Sequence, residues 1–139
     1  MSKPYVCLYC HLIWATWERM PLIGPEIESP LYAAIAAECR ELGVEPLAVG
    51  DLSDHVHLLV RFPGSLALAK LVQEVKGASS HLVTHQLRSG EFFKGQGGYG
   101  AFTVSKEAVT RVAAYVRGQK VHHTEGTLQV TLERTGYEG

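Results

Sequence analysis

The stretch Asp54-His55-Val56-His57-Leu58-Leu59-Val60 holds the densest chemistry in the chain. As a strand it sends alternate side chains to opposite faces. Val56, Leu58 and Val60 then turn to a core. His55 and His57 project together from the other face, as two imidazoles about 7 Å apart that can converge on one metal ion. Two strand histidines without a ligand role satisfy the same pattern. Tyr115 and Gln119 have i,i+4 spacing, which on a helix places both side chains on one face. Ala108 and Val112 continue that stripe, so plain packing of Tyr115 against a sheet is the alternative. A phenol has a pKa of about 10 and is a poor nucleophile at neutral pH. Against an electrophile activated by a metal it becomes useful, and Gln119 can supply an oxygen ligand.

Several elements must hold these residues in place. Residues 4–17 alternate loosely, are rich in aromatics and suit a strand. Residues 18–29 contain Pro21, Gly24 and Pro25 and read as a loop. Ser29 and Pro30 can then open a helix over 31–42, with Gly43 at its end. Strands are expected over 44–52 and 55–62. Pro63-Gly64 stops the second, and Ser65 can cap a long helix to about Leu87. A loop with five glycines follows, then a short edge strand over 101–104 and a helix over 106–122 opened by Ser105. This order fits an α+β domain, a ferredoxin-like antiparallel sheet with helices packed on it.

Length and composition agree with a single domain. The chain has 139 residues, 46% hydrophobic and 19% charged, with a formal net charge of −1. A disordered chain and a wholly basic nucleic-acid binder are excluded. The charge is uneven, however. Residues 1–60 carry a net of −5, residues 61–94 a net of +3 and residues 95–139 a net of +1. The middle can offer a modest positive surface to a phosphate backbone, or simply a solvated helix face. Three cysteines, Cys7, Cys10 and Cys39, do not make a complete disulfide framework. Cys7 and Cys10 have zinc-knuckle spacing without a second pair, which favours thiols in a sheet. No targeting pattern or long apolar run stands out, and a cytoplasmic protein without a membrane partner is expected.

The sequence resembles the IS200/IS605-like transposases, the small single-tyrosine family that includes relatives associated with repetitive extragenic palindromes. The resemblance runs over roughly residues 5–123. It rests on Tyr9-x-His11-x-Ile13-Trp14-Ala15-Thr16, the Asp54–Val60 stretch, and Leu71-Val72-x-x-Val75-Lys76-Gly77-x-Ser79-Ser80. Gly98-Tyr99-Gly100-Ala101-Phe102-Thr103-Val104, Tyr115-Val116-Arg117-Gly118-Gln119 and His122-His123 complete it. Trp17-Glu18-Arg19 and the glycine-rich run depart from the family's pattern.

The resemblance implies a metal-dependent, single-stranded DNA endonuclease and strand transferase. Tyr115 would be the nucleophile and form a 5′-phosphotyrosine. His55, His57 and Gln119 would hold a divalent ion, Mg²⁺ or Mn²⁺. The implied partners are single-stranded DNA with a hairpin and a second copy of the chain, in a homodimer whose tyrosine helix can act in trans. Lys70, Lys76, Arg88 and Lys94 lie in the net-positive stretch and are candidate phosphate contacts. Tyr9 and Trp14 can stack bases or pack in a core, and His11 reads as a structural histidine beside the site. Residues 1–123 form the expected catalytic domain and 124–139 a polar C-terminal tail. The alternative activity is non-catalytic or host-retained binding of structured single-stranded DNA.

Overall fold

A computed structural model describes residues 4–16, 19–84, 98–126 and 130–135. Its elements are β1 (Leu8–Ala15), α1 (Pro25–Glu41), β2 (Glu45–Leu52), β3 (His55–Phe62), α2 (Leu68–Leu82), β4 (Gly100–Val104), α3 (Val109–Arg117) and α4 (Gln119–Glu125). The four strands form one antiparallel sheet in the order β2-β3-β1-β4. The first six elements run strand–helix–strand–strand–helix–strand, the ferredoxin-like arrangement expected of an α+β chain. Among the described residues, no helix is long and apolar enough to cross a membrane.

The two faces of the sheet do different work. On one, Leu12, Trp14, Val56, Leu58 and Val60 pack with Ile27, Leu31, Ile35 and Cys39 of α1 and with Leu71, Val72 and Val75 of α2. The α1 residues recur every fourth position, so one stripe of that helix is buried. On the other face, Ala48 and Leu59 meet Ala113 and Val116 of α3. The histidines of β3 belong to this second face, under α3.

α1 begins earlier than the prolines suggest. Gly24 is its N-cap, Pro25 occupies the first turn, and Pro30 lies inside the helix. Burial of Ile27 and Leu31 on either side of Pro30 holds that turn against the core and offsets the hydrogen bond that proline cannot donate. α2 starts at Leu68 after Ala67, so Ser65 lies in a turn and is not its cap. The helix expected over 106–122 is divided. A 3₁₀ turn at Lys106–Ala108 leads into α3, and Gly118 separates α3 from α4. Glycine costs a helix interior about 1 kcal/mol, which makes this the natural place for the axis to break.

Two glycines permit close approaches that bear on the site. A Cβ at Gly50 would lie 1.7 Å from the Val116 carbonyl oxygen. Gly50 is paired with His57, so its missing side chain lets α3 settle on the sheet beside that histidine. A Cβ at Gly100 would lie 1.7 Å from the Arg134 carbonyl oxygen, so residues 130–135 lie directly against β4.

A polar cluster joins α1, β2 and α4. The Tyr32 hydroxyl donates to Asp51, and Lys120 Nζ lies 2.5 Å from Glu28 Oε2. Burial pushes the Asp51 carboxyl up to about 6; the Tyr32 hydrogen bond opposes the shift, and the neighbouring Glu28 adds to it. A carboxyl raised above its unfolded value of about 3.8 favours folding fully below that value and loses the contribution as pH rises through about 6. Asp51→Asn should therefore match the parent near pH 4 and exceed it by on the order of 2 kcal/mol at pH 8. Urea unfolding at both pH values checks this, and parallel stability profiles would contradict it.

Candidate metal centre and nucleophile

His55 and His57 stand on β3 with ring centroids 5.1 Å apart, and both are fully buried. The alternation read from the sequence holds, since Val56, Leu58 and Val60 face the opposite core. Burial follows from the layer above them, where α3, α4 and residues 130–135 close over this face of the sheet.

Glu133 brings the parts together. Its Oε1 lies 3.1 Å from His57 Nε2 and 3.4 Å from His55 Nε2. Its Oε2 accepts a hydrogen bond from the Tyr115 hydroxyl. Tyr115 is itself buried, with its ring edge-on to His57 at 6.0 Å between centroids. Histidine pair and tyrosine thus meet within one chain. His122 of α4 stacks on the Tyr115 ring at 4.7 Å and fixes its plane.

The donor atoms of His55, His57 and Glu133 all lie within 4.8 Å of one another. Two imidazole nitrogens and a carboxylate oxygen at these separations can share one divalent ion. The surroundings support that use. Asp54 Oδ1 is 2.7 Å from His55 Nδ1, which turns Nε2 toward Glu133. His11 Nε2 is 2.7 Å from His57 Nδ1, which does the same for His57. Burial and the neighbouring His57 lower the His11 pKa to about 4, so His11 is neutral and can accept the His57 Nδ1–H. Its own Nδ1 is buried without a hydrogen-bond partner among the described residues. Carboxylate or imidazole partners of this kind orient metal-binding histidines and raise their basicity.

The electrostatics are those of carboxylates set against imidazoles. Burial alone would lower the His55 pKa, but the Asp54 and Glu133 carboxylates outweigh it and hold it at about 9. Burial likewise opposes charge on Glu133, yet the adjacent His55 and His57 imidazoles keep its carboxyl well below the usual range. Asp54→Asn should lower the affinity for Mn²⁺ by about 10- to 100-fold, through loss of His55 orientation. Calorimetric titration of the ion measures this; an unchanged affinity would remove Asp54 from the site.

The other sequence candidates fall in different places. Gln119 is buried at the start of α4, and its amide nitrogen donates to the Tyr115 carbonyl at 3.1 Å. Lys70 and Lys76 lie on α2, across the sheet from the histidines. Lys70 is 3.2 Å from Glu74, and Lys76 donates to the Gly98 carbonyl at 3.3 Å. Arg88 and Lys94 lie outside the described residues. Trp14 is buried in the main core and presents no face for a base. Cys10 is buried, its thiol pushed up to about 11 by burial, and all three cysteines are free.

Sequence reasoning missed Glu133 and underrated His11. Glu133 sits in a polar stretch with no periodicity, 76 residues from His57. His11 had a weak signal, because in the β1–β3 pairing it lies opposite Leu59, diagonally across from His57 on the same face.

Known proteins bear out this architecture. The family described as "Transposase IS200 like" matches residues 5–119. Among solved structures, the chain is similar to a candidate transposase from Deinococcus radiodurans R1. The two share 25% identity and a TM-score of 0.63, over 84% of this chain and 94% of that one. It is also similar to a REP-associated tyrosine transposase bound to a REP hairpin, with 16% identity and a TM-score of 0.66. That likeness covers 88% of this chain and 73% of the other, and is one of fold. No curated protein matches the chain. With the family matched over most of its length, this chain belongs to the IS200-like transposases.

Proposed function

We propose that this transposase is a metal-dependent endonuclease and strand transferase for hairpin-bearing single-stranded DNA, with Tyr115 as its nucleophile. One observation carries the reading: Glu133 touches both imidazoles of the histidine pair and the hydroxyl of Tyr115. A buried tyrosine needs a partner for its hydroxyl in any case; what favours the reading is that the partner here is the carboxylate that also meets the histidine pair. The hairpin is brought over from the neighbour whose structure contains one.

In this account His55, His57 and Glu133 hold the ion, and Gln119 is proposed as a further oxygen ligand. Mixed nitrogen and oxygen donors suit Mn²⁺ better than Mg²⁺, which prefers oxygen alone. When bound, a divalent ion polarises the scissile phosphate and offsets charge developing on its oxygens. Asp54 and His11 keep the two imidazoles aimed. Glu133 receives the phenolic O–H and directs a lone pair of the Tyr115 oxygen away from itself. The new bond joins that oxygen to phosphorus, and the bond from phosphorus to the 3′ oxygen breaks. The phenol gives up one proton and the departing 3′ oxygen takes up one, leaving as a 3′-OH, so the step is proton-neutral. A later attack by a 3′-OH reverses the step and joins DNA ends. Among the described residues one tyrosine is so placed, so coordinated cleavage of two ends calls for two chains.

A labelled hairpin oligonucleotide with single-stranded flanks tests this. Incubation with Mn²⁺ should give a covalent adduct that survives denaturing gel electrophoresis, and EDTA should abolish it. Binding with no adduct in any divalent ion would favour a non-catalytic binder of structured DNA.

A further inference from the structure

A cavity of about 320 Å³ opens between the edge strand β4 and α3, next to the nucleophile. Phe102, Ser105, Arg111, Val112, Tyr115 and Leu132 are among its walls. Its size lies at the small end of ligand pockets, which run from about 300 to 1,000 Å³. None of the metal-centre residues lines it except through Tyr115, which both spaces share.

The wall chemistry is specific. Arg111 stands one helical turn before Tyr115, at i,i+4 spacing, so the guanidinium and the phenol share one face of α3. Arg111 is exposed, and among the described residues it makes no hydrogen bond or ion pair. Glu107, four residues earlier, is also exposed. An unpaired guanidinium beside a phosphate-attacking hydroxyl is a ready fork for phosphate oxygens. Phe102 is half-buried on β4, on the same face as His11, with which it is paired across the strands. Its ring lies 6.1 Å from the His11 ring, and Phe102 is one of the residues that line the cavity. A partly exposed ring of this kind is a stacking surface for a base. The Ser105 hydroxyl adds a hydrogen-bonding group at the rim.

We propose that this cavity binds one nucleotide of single-stranded DNA flanking the scissile phosphate, with Arg111 taking its phosphate and Phe102 stacking its base. The inference rests on the tyrosine reading for its place in catalysis, but the binding itself does not. Arg111 is a positioning residue: it fixes the strand so that the bond to be broken lies in front of Tyr115. Among the described residues β4 is an edge strand of the sheet, hydrogen-bonded to β1 alone, and residues 130–135 lie against it.

The test uses the full chain in EDTA, titrated with the four deoxynucleoside 5′-monophosphates and, separately, with their nucleosides. Chemical shifts of the Phe102 ring and the Arg111 side chain are the readout. The monophosphates should shift both, the nucleosides should bind more weakly, and added salt should weaken only the monophosphates. Arg111→Gln should cost about tenfold in affinity. Phe102→Leu should weaken nucleosides and nucleotides alike. Absent shifts, or an affinity unchanged by Arg111→Gln, would overturn the proposal. The adduct assay separates the two claims. If Arg111→Gln and Phe102→Leu both form adduct at the parent's half-saturating DNA concentration, the subsite is wrong and the tyrosine reading stands. If the parent forms no adduct yet the nucleotides still produce the expected shifts, the tyrosine reading is wrong and the subsite stands.

Discussion

Tyr115→Phe should eliminate the covalent DNA adduct, with a rate loss on the order of 10⁴-fold or more, while hairpin binding stays within about twofold of the parent. The split is the point of the experiment. Removing one oxygen takes away the only atom proposed to attack phosphorus, but leaves the ring that packs against His57 and His122. The hydroxyl also donates to Glu133, so the variant should lose about 1 kcal/mol of stability. A purely structural tyrosine would give the stability loss alone. An adduct that persists in Tyr115→Phe would show that another side chain attacks.

Glu133→Gln should have the second-largest effect. The carboxylate contacts both histidines and the tyrosine, and its charge is what these neighbours favour. Glutamine keeps the shape and one oxygen but removes that charge. We expect Mn²⁺ affinity to fall by more than about 100-fold, since even partners one step removed from the ion are worth 10- to 100-fold. Adduct formation should fall with it and recover in part at high Mn²⁺. The His55 pKa should also drop, because Glu133 is one of two carboxylates holding it up. An unchanged Mn²⁺ affinity would remove Glu133 from the ligand set. A faster adduct would mean that this carboxylate restrains Tyr115 more than it helps.

Much of this arrangement is legible in the sequence. Strand alternation placed His55 and His57 opposite Val56, Leu58 and Val60, because period-two patterning and a buried core leave no other register. The helical face of Tyr115 followed from its spacing. The order of strands and helices was sufficient for the sheet topology. The break at Gly118 was less visible, since the apolar stripe runs through it and only the weak propensity of glycine marks it. The start of α1 was hidden by Pro30, whose cost is outweighed by tertiary burial of Ile27 and Leu31. Glu133 could not be read at all. A single acid in an aperiodic stretch has no local signature, and its role comes from the close approach of Arg134 to Gly100, a contact between distant segments. His11 lies between these cases. Its neighbour across the strands is set by register, and register becomes visible only once β1 and β3 are paired.

The central claim is that the Tyr115 oxygen forms the bond to DNA, beside the ion held by His55, His57 and Glu133. Mapping the linkage on the adduct tests it most directly. After reaction with Mn²⁺ and a hairpin oligonucleotide, nuclease and protease digestion followed by mass spectrometry should yield a peptide with a 5′-linked nucleotide on Tyr115. The other DNA fragment should end in a free 3′-OH. A nucleotide on any other residue, or a 3′-phosphotyrosyl linkage, would contradict the account.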